Sequence, residues 1–130
     1  MFKQLGFLRL TTSAVLVVSL ALAPTMPAQA HAQLLVSTPA AGSVVYKWPS
    51  TVTITFDDDL IVFEDANQLV VTDSKKRRVD AGISVVTGAS LSVSLKKAKR
   101  YGKYTVTYRV ISADGHPVSQ SYPFYFKKKR

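Results

Sequence analysis

Beyond residue 30 the chain alternates apolar and polar positions with a period of two. Thr51–Phe56 sets Val52, Ile54 and Phe56 against three threonines, as a strand with one buried and one solvated face requires. Ser90–Leu95 repeats the design, with Leu91, Val93 and Leu95 opposed to serines. Across 103–112, Tyr104, Val106, Tyr108 and Val110 share one face, while Thr105, Thr107, Arg109 and Ile111 share the other. Shorter stretches at 33–37, 68–73, 83–86 and 121–126 carry the same signal. No segment after His31 keeps apolar residues at i, i+3, i+4 and i+7 for three turns, so strands explain the pattern better than helices. Turn-forming clusters separate the strands: Pro-Ala-Ala-Gly at 39–42, Trp-Pro-Ser at 48–50, Asp-Asp-Asp at 57–59, the basic 73–78, and Ala-Asp-Gly-His-Pro at 113–117. Seven short strands in about a hundred residues predict an all-β, immunoglobulin-like or Greek-key sandwich.

The first thirty residues follow a different rule. Lys3 and Arg9 precede an uncharged apolar run at 14–23, and Pro24 and Pro27 then lead into Ala28-Gln29-Ala30. This is the three-part pattern of a secretory signal peptide. The apolar run falls short of the roughly 20 residues a membrane span needs, although an uncleaved signal anchor is the alternative reading. Residues 1–30 are thus expected to be removed on export, leaving a single domain, 31–130, in the periplasm or another extracellular or cell-envelope space. Cleavage after Ala30 makes His31 the first residue; a second small-x-small site at 30–32 would instead leave Gln33.

Composition then narrows the chemistry. The chain has no cysteine, which excludes disulfides, thiolate zinc sites, iron–sulfur clusters and blue-copper centres. Its 17 Lys and Arg against 8 Asp and Glu give a net charge of +9, a balance that in another compartment would suggest nucleic acid. Export argues against that partner. Removing 1–30 takes away Lys3, Arg9 and both methionines, so 15 basic residues face 8 acidic ones and no sulfur atom remains. The basic residues cluster at 75–78, 96–100 and 127–130. Solubility and lysine-protected strand edges are the plainer reading, and attraction to an anionic envelope surface is the functional one.

Two histidines hold the candidate metal chemistry. His31 at a free N-terminus would offer both its amine and its imidazole to one metal. Gly115 lets the backbone turn so that Asp114 and His116 converge. Three nitrogens and one oxygen suit a tetragonal Cu(II) ion. The alternative is a frayed terminus and an ordinary hairpin turn followed by an exposed histidine. Spacing alone does not say whether His31 lies near His116.

The chain resembles the CopC copper-resistance family. The likeness rests on His31-Ala32 at the expected start, Ser-Thr-Pro-Ala-Ala-Gly-Ser at 37–43, Pro-Ser-Thr-Val-Thr-Ile-Thr-Phe at 49–56, 101–118 with its Ser-Ala-Asp-Gly-His-Pro element, and Phe-Tyr-Phe at 124–126. It spans nearly all of 31–130. It implies a seven-stranded immunoglobulin-like or cupredoxin-like sandwich outside the cytoplasm, which binds and delivers copper without turning over a substrate. The family's Cu(II) ligands fall on His31, through amine and imidazole, and on Asp114 and His116, one copper per chain. A methionine-rich Cu(I) loop, present in some relatives, has no counterpart after residue 30, where thioethers are lacking. The resemblance also implies a membrane copper transporter as partner; the domain itself is expected to be a monomer.

Three further expectations follow. The acidic 57–65 stretch, unusual for the family, reads as a solvated loop in preference to a calcium site, since it lacks alternating ligand spacing. Lys75-Lys76-Arg77-Arg78 stands where the family would have a glycine-containing turn. Ser112 and Tyr108 are candidates for orienting the imidazoles, and Trp48 either shields the site or caps the sandwich. Two other functions stay open. One is a copper enzyme with an N-terminal histidine brace, as in oxidative polysaccharide-cleaving enzymes, although Asp114 would fill a position such a site needs open. The other is an immunoglobulin-like interaction module without metal.

Overall fold

Thr and Ser alternating with Val, Ile and Leu make the two best-defined strands, and these pair at the centre of one sheet. In the computed structural model, β3 (Thr51–Phe56) and β6 (Ser90–Leu95) lie antiparallel with Ile54 opposite Leu91 and Val52 opposite Val93. Val52, Ile54, Phe56, Leu91 and Val93 point inward and are buried, Leu95 is half-buried, and the hydroxyls face out, where Thr55 and Ser90 hydrogen-bond across the strands at 2.8 Å. β1 (Leu34–Thr38) and β5 (Asp80–Thr87) flank them, giving the order β1-β3-β6-β5. The structure describes residues 31–97 and 100–130; the expected signal peptide at 1–30 lies outside the described residues.

The second sheet is built around a hairpin of β7 (Gly102–Ile111) and β8 (Pro117–Phe126). β4 (Gln68–Thr72) and the two-residue β2 (Val44–Val45) complete the order β2-β8-β7-β4. Tyr104, Val106, Tyr108 and Val110 from β7 meet Val52, Ile54 and Phe56 from the opposite sheet, with Leu69, Val71 and Phe124 closing one continuous core. Burial of these side chains is what holds a sandwich without disulfides together.

The architecture is the expected all-β sandwich, with no helix among the described residues and eight strands where the alternating pattern gives seven. The eighth is β2, too short to show a period; it exists because Val44 and Val45 run parallel to Tyr125 and Phe126 at the sheet edge. β5 starts at Asp80, earlier than the apolar pattern suggests, because Asp80 is buried by its partners. Its carboxylate accepts the Val71 N–H at 2.8 Å and the Gly82 N–H at 2.8 Å, and pairs with Arg78 at 2.7 Å. Ser84 Oγ accepts the Leu69 N–H at 3.0 Å, so two side chains of β5 serve the outer edge of β4 and join the sheets along that seam. Burial alone would push the Asp80 carboxyl up; the Arg78 and backbone N–H donors outweigh it and hold the group below its ordinary range.

Candidate metal centre

All the expected ligands sit at one end of the sandwich. This end gathers the start of β1, the end of β3, the β5–β6 turn and the β7–β8 connection. His31 is placed there by its two neighbours. Ala32 is only 5% exposed and belongs to the core, and Gln33 is tied to Asp57 twice. The Gln33 N–H donates to Asp57 Oδ1 at 2.7 Å, and the Asp57 N–H donates to the Gln33 carbonyl at 3.0 Å. The segment leading into β1 is therefore anchored at 32–33.

Asp114 and His116 are presented by the turn that links β7 to β8. Ser112 is fully buried, bridges to Leu60, and donates its hydroxyl to Asp114 Oδ1. The His116 N–H donates to the same oxygen at 3.1 Å, and the Gly115 N–H donates to the Ser112 carbonyl at 2.8 Å. Gly115 has φ +85°, a left-handed conformation that favours glycine. The Ser112 hydroxyl first, then the His116 N–H and imidazole, hold the Asp114 carboxyl below its usual range and keep it an anion.

Across this turn the two imidazoles meet. The His31 and His116 rings stack with centroids 5.4 Å apart and planes within 11°, and His116 Nδ1 lies 3.2 Å from Asp114 Oδ2. The three expected residues are thus neighbours, although among the described residues no three histidine or acidic side chains converge as a ready set of ligands. His31, Asp114 and His116 are all exposed, so rotation about side-chain bonds is free to exchange the stacked arrangement for a convergent one. In the uncut chain the His31 nitrogen is an amide, which adds no amine donor.

The supporting residues differ from expectation in instructive ways. Neither candidate for orienting an imidazole does so: the Ser112 hydroxyl donates to Asp114 instead, and the Tyr108 hydroxyl donates to Gln120 Oε1 at 3.2 Å. Asn67, which the alternating pattern does not single out, is buried and braces the turn. Its Nδ2 donates to the Ile61 carbonyl at 2.6 Å and its Oδ1 accepts the Ile111 N–H at 2.9 Å. The acidic loop is exposed at 57–59 yet structural, because Asp57 holds Gln33 and the Asp59 carbonyl accepts the Ala113 N–H at 2.9 Å. Trp48 lies at the opposite end, on Tyr104, Phe124 and Phe126, with its Nε1–H donating to the Lys96 carbonyl at 2.8 Å. It caps the sandwich. A cleft of about 490 Å³ along the β4–β5 seam is lined by Val62, Phe63, Leu69 and Ile83 and touches none of the three candidate ligands.

Residues 34–127 match the family model described as the CopC domain. The chain belongs to the CopC family. Copper transport protein CutJ of Bacillus subtilis (strain 168) is 33% identical over 98 residues, covering 73% of this chain and 18% of CutJ. The chain therefore spans under a fifth of that relative's length. Among solved structures, CopC from Methylosinus trichosporium OB3b has a TM-score of 0.69 at 23% identity, covering 77% of this chain and 97% of that one. PcoC from Escherichia coli, titled a methionine-rich copper resistance protein, has a TM-score of 0.62 at 26% identity and covers 75% and 100%. Membership of the CopC family supports a copper-binding role.

Proposed function

We propose that this protein is an extracytoplasmic Cu(II) carrier or buffer in copper homeostasis or resistance. The observation that carries the reading is the meeting of His31 and His116 across two different sheets, with Asp114 on the second imidazole. Cleavage after Ala30 would convert the His31 amide into an amine and complete a set of three nitrogens and one oxygen. Membership of the CopC family supports copper as the metal, and the pattern of residues 1–30 supports export. The function is delivery and not catalysis: copper is cargo, handed as one ion per monomer to a membrane transporter, near the anionic envelope surface. Cu(I) is not part of the reading, since no thioether or thiol remains after residue 30, in contrast to the relative titled methionine-rich.

The test is the intact mass of the exported protein, before and after one equivalent of Cu(II) and removal of excess. A mass beginning at His31 that retains one copper is expected. A mass beginning at Gln33, or a His31 form that retains no copper, overturns the site. The enzyme alternative makes the opposite demand: with a reductant and oxygen it requires peroxide well above that from free copper, whereas the copper-loaded carrier should form no more than free copper does.

A further inference from the structure

We propose that the end of the sandwich opposite the histidines is a docking surface for the headgroups of anionic phospholipids. Thirteen described lysines and arginines collect there, in 75–78, 96–97, Arg100, Lys103, Lys47 and 127–130. The three clusters are far apart in sequence, and the topology brings them together. The end of β4, the start of β5, the end of β6, the start of β7 and the end of β8 all lie at this pole. Lys96 is held by its N–H on the Val79 carbonyl at 2.8 Å, and the 127–130 tail leaves the fold where the Lys127 N–H meets the Val45 carbonyl at 3.0 Å.

The cations surround a cleft of about 230 Å³, lined by Arg77, Arg78, Lys96, Lys97 and Arg100, with Asp73, Val79 and Tyr104 also in its wall. Two carboxylates lie at this pole and each is already engaged: Asp73 with Arg77 at 2.8 Å, Asp80 with Arg78 at 2.7 Å. Among the described residues Lys96, Lys97 and Arg100 enter no ion pair. Such a cleft suits a phosphate group, which accepts hydrogen bonds from several cationic donors at once.

Two features favour a lipid surface over a free anion. The charge extends well beyond the cleft, over the whole pole, as contact with a plane of headgroups needs and one small anion does not. Tyr46 and Tyr101 are also 58% and 59% exposed at this pole, Tyr101 lying against Phe126 with ring centroids 4.7 Å apart. Tyrosine, apolar in its body and polar at its tip, suits the depth of lipid headgroups. β7 runs the length of the sandwich in ten residues, so a bilayer at the basic pole would stand roughly 30 Å from His116. The histidines would then face away from the membrane, open to a donor or acceptor of copper. This extends the carrier reading by giving the site an orientation, and is tested without copper so that each can fail alone.

The sandwich of 31–130 contains every described strand and the whole core, so it is the form to use; residues 1–30 would bind lipid through their own apolar run. The apoprotein is sedimented with vesicles of equal parts phosphatidylglycerol and phosphatidylcholine, and with phosphatidylcholine alone. Binding is expected only to the first and should fade as salt is raised. Lys96→Ala, Lys97→Ala and Arg100→Ala combined should weaken it about a hundredfold, at about fivefold per cation removed. These side chains are exposed, and the hydrogen bonds from Trp48 and Tyr104 reach the backbone carbonyls of Lys96 and Arg100, which the changes leave in place. Trp48 fluorescence reports that the fold is kept, and Tyr46→Ser with Tyr101→Ser gives a second, smaller loss. Equal binding to both vesicles, no binding, or binding that ignores the triple change overturns the proposal. So does inorganic phosphate binding in the cleft without vesicle binding, which would make it a small-anion site only.

Discussion

The two poles of this sandwich are made by the same strands and yet carry opposite chemistry. At the histidine pole stand Asp57, Asp58, Asp59, Glu64, Asp65 and Asp114, six of the eight acidic residues of the chain. At the other pole thirteen described cations meet Asp73 and Asp80 alone. The core between them is uniform, because alternation along each strand decides what is buried regardless of which end a residue is near. The poles differ because loops are free to hold what the strands are not. At the acidic pole, carboxylates and Asn67 take backbone N–H groups, so the polar groups there fix geometry. At the basic pole, two carboxylates fix two arginines and the other cations stay solvated. Negative potential around His31 and His116 favours approach of a divalent cation to that end only.

If the poles are independent, changes at one should leave the other untouched, and this can be broken in stages. The largest effect is expected from retaining one residue before His31, or from His116→Ala: either should lower Cu(II) affinity by several orders of magnitude in a competition titration, with thermal unfolding of the apoprotein unchanged. Next, Asp80→Ala should cost about 3 kcal/mol of folding stability, since it orphans the buried Val71 N–H and strips Arg78 of its partner. Copper affinity measured below the new unfolding temperature should not move; if it does, the poles are coupled through the seam. The same carboxyl gives a pH signature. Its folded pKa lies below the ordinary 3.8, so its contribution is complete above that value and is lost as pH falls through the folded one. Urea unfolding on acidification should show that loss in the parent and not in Asp80→Ala. Asp114→Asn should weaken copper binding less than loss of a nitrogen ligand and shift the visible absorption of the bound ion. Smallest, Ser112→Ala should reduce affinity about tenfold by loosening Asp114, with the absorption spectrum preserved.

Most of the sandwich was legible because its strands pack one face and solvate the other. β3 and β6 begin and end where the Thr and Ser alternation does. β5 begins three residues before the stretch that alternates at 83–86, because Asp-Ala-Gly has little strand preference and enters the sheet only through the hydrogen bonds of Asp80. The 117–120 half of β8 was missed for a related reason: Pro-Val-Ser-Gln is mostly exposed and is held by pairing with β7. The turn expected at 73–78 forms without the glycine the family pattern would have there: Lys76 supplies the left-handed residue instead, at φ +64°, while Asp73 Oδ1 accepts the N–H groups of Lys75 and Arg77. In the candidate centre, chemistry flagged His31, Asp114 and His116, and Gly115 gave the turn. Asn67 and Asp57 were not flagged, since a lone Asn or a run of Asp acquires a role only when a distant backbone N–H is brought to it.

His31 enters from the sheet of β1 and β3, whereas His116 enters from the sheet of β7 and β8, with 84 residues between the two in the chain. A metal held by both is therefore a removable cross-link in a chain that has no cysteine for a permanent one. It would join the two layers at one rim, as a staple closes two sheets of card. Binding to the folded chain alone raises its stability with free-metal concentration, and the melting temperature would then report how much cargo the protein holds.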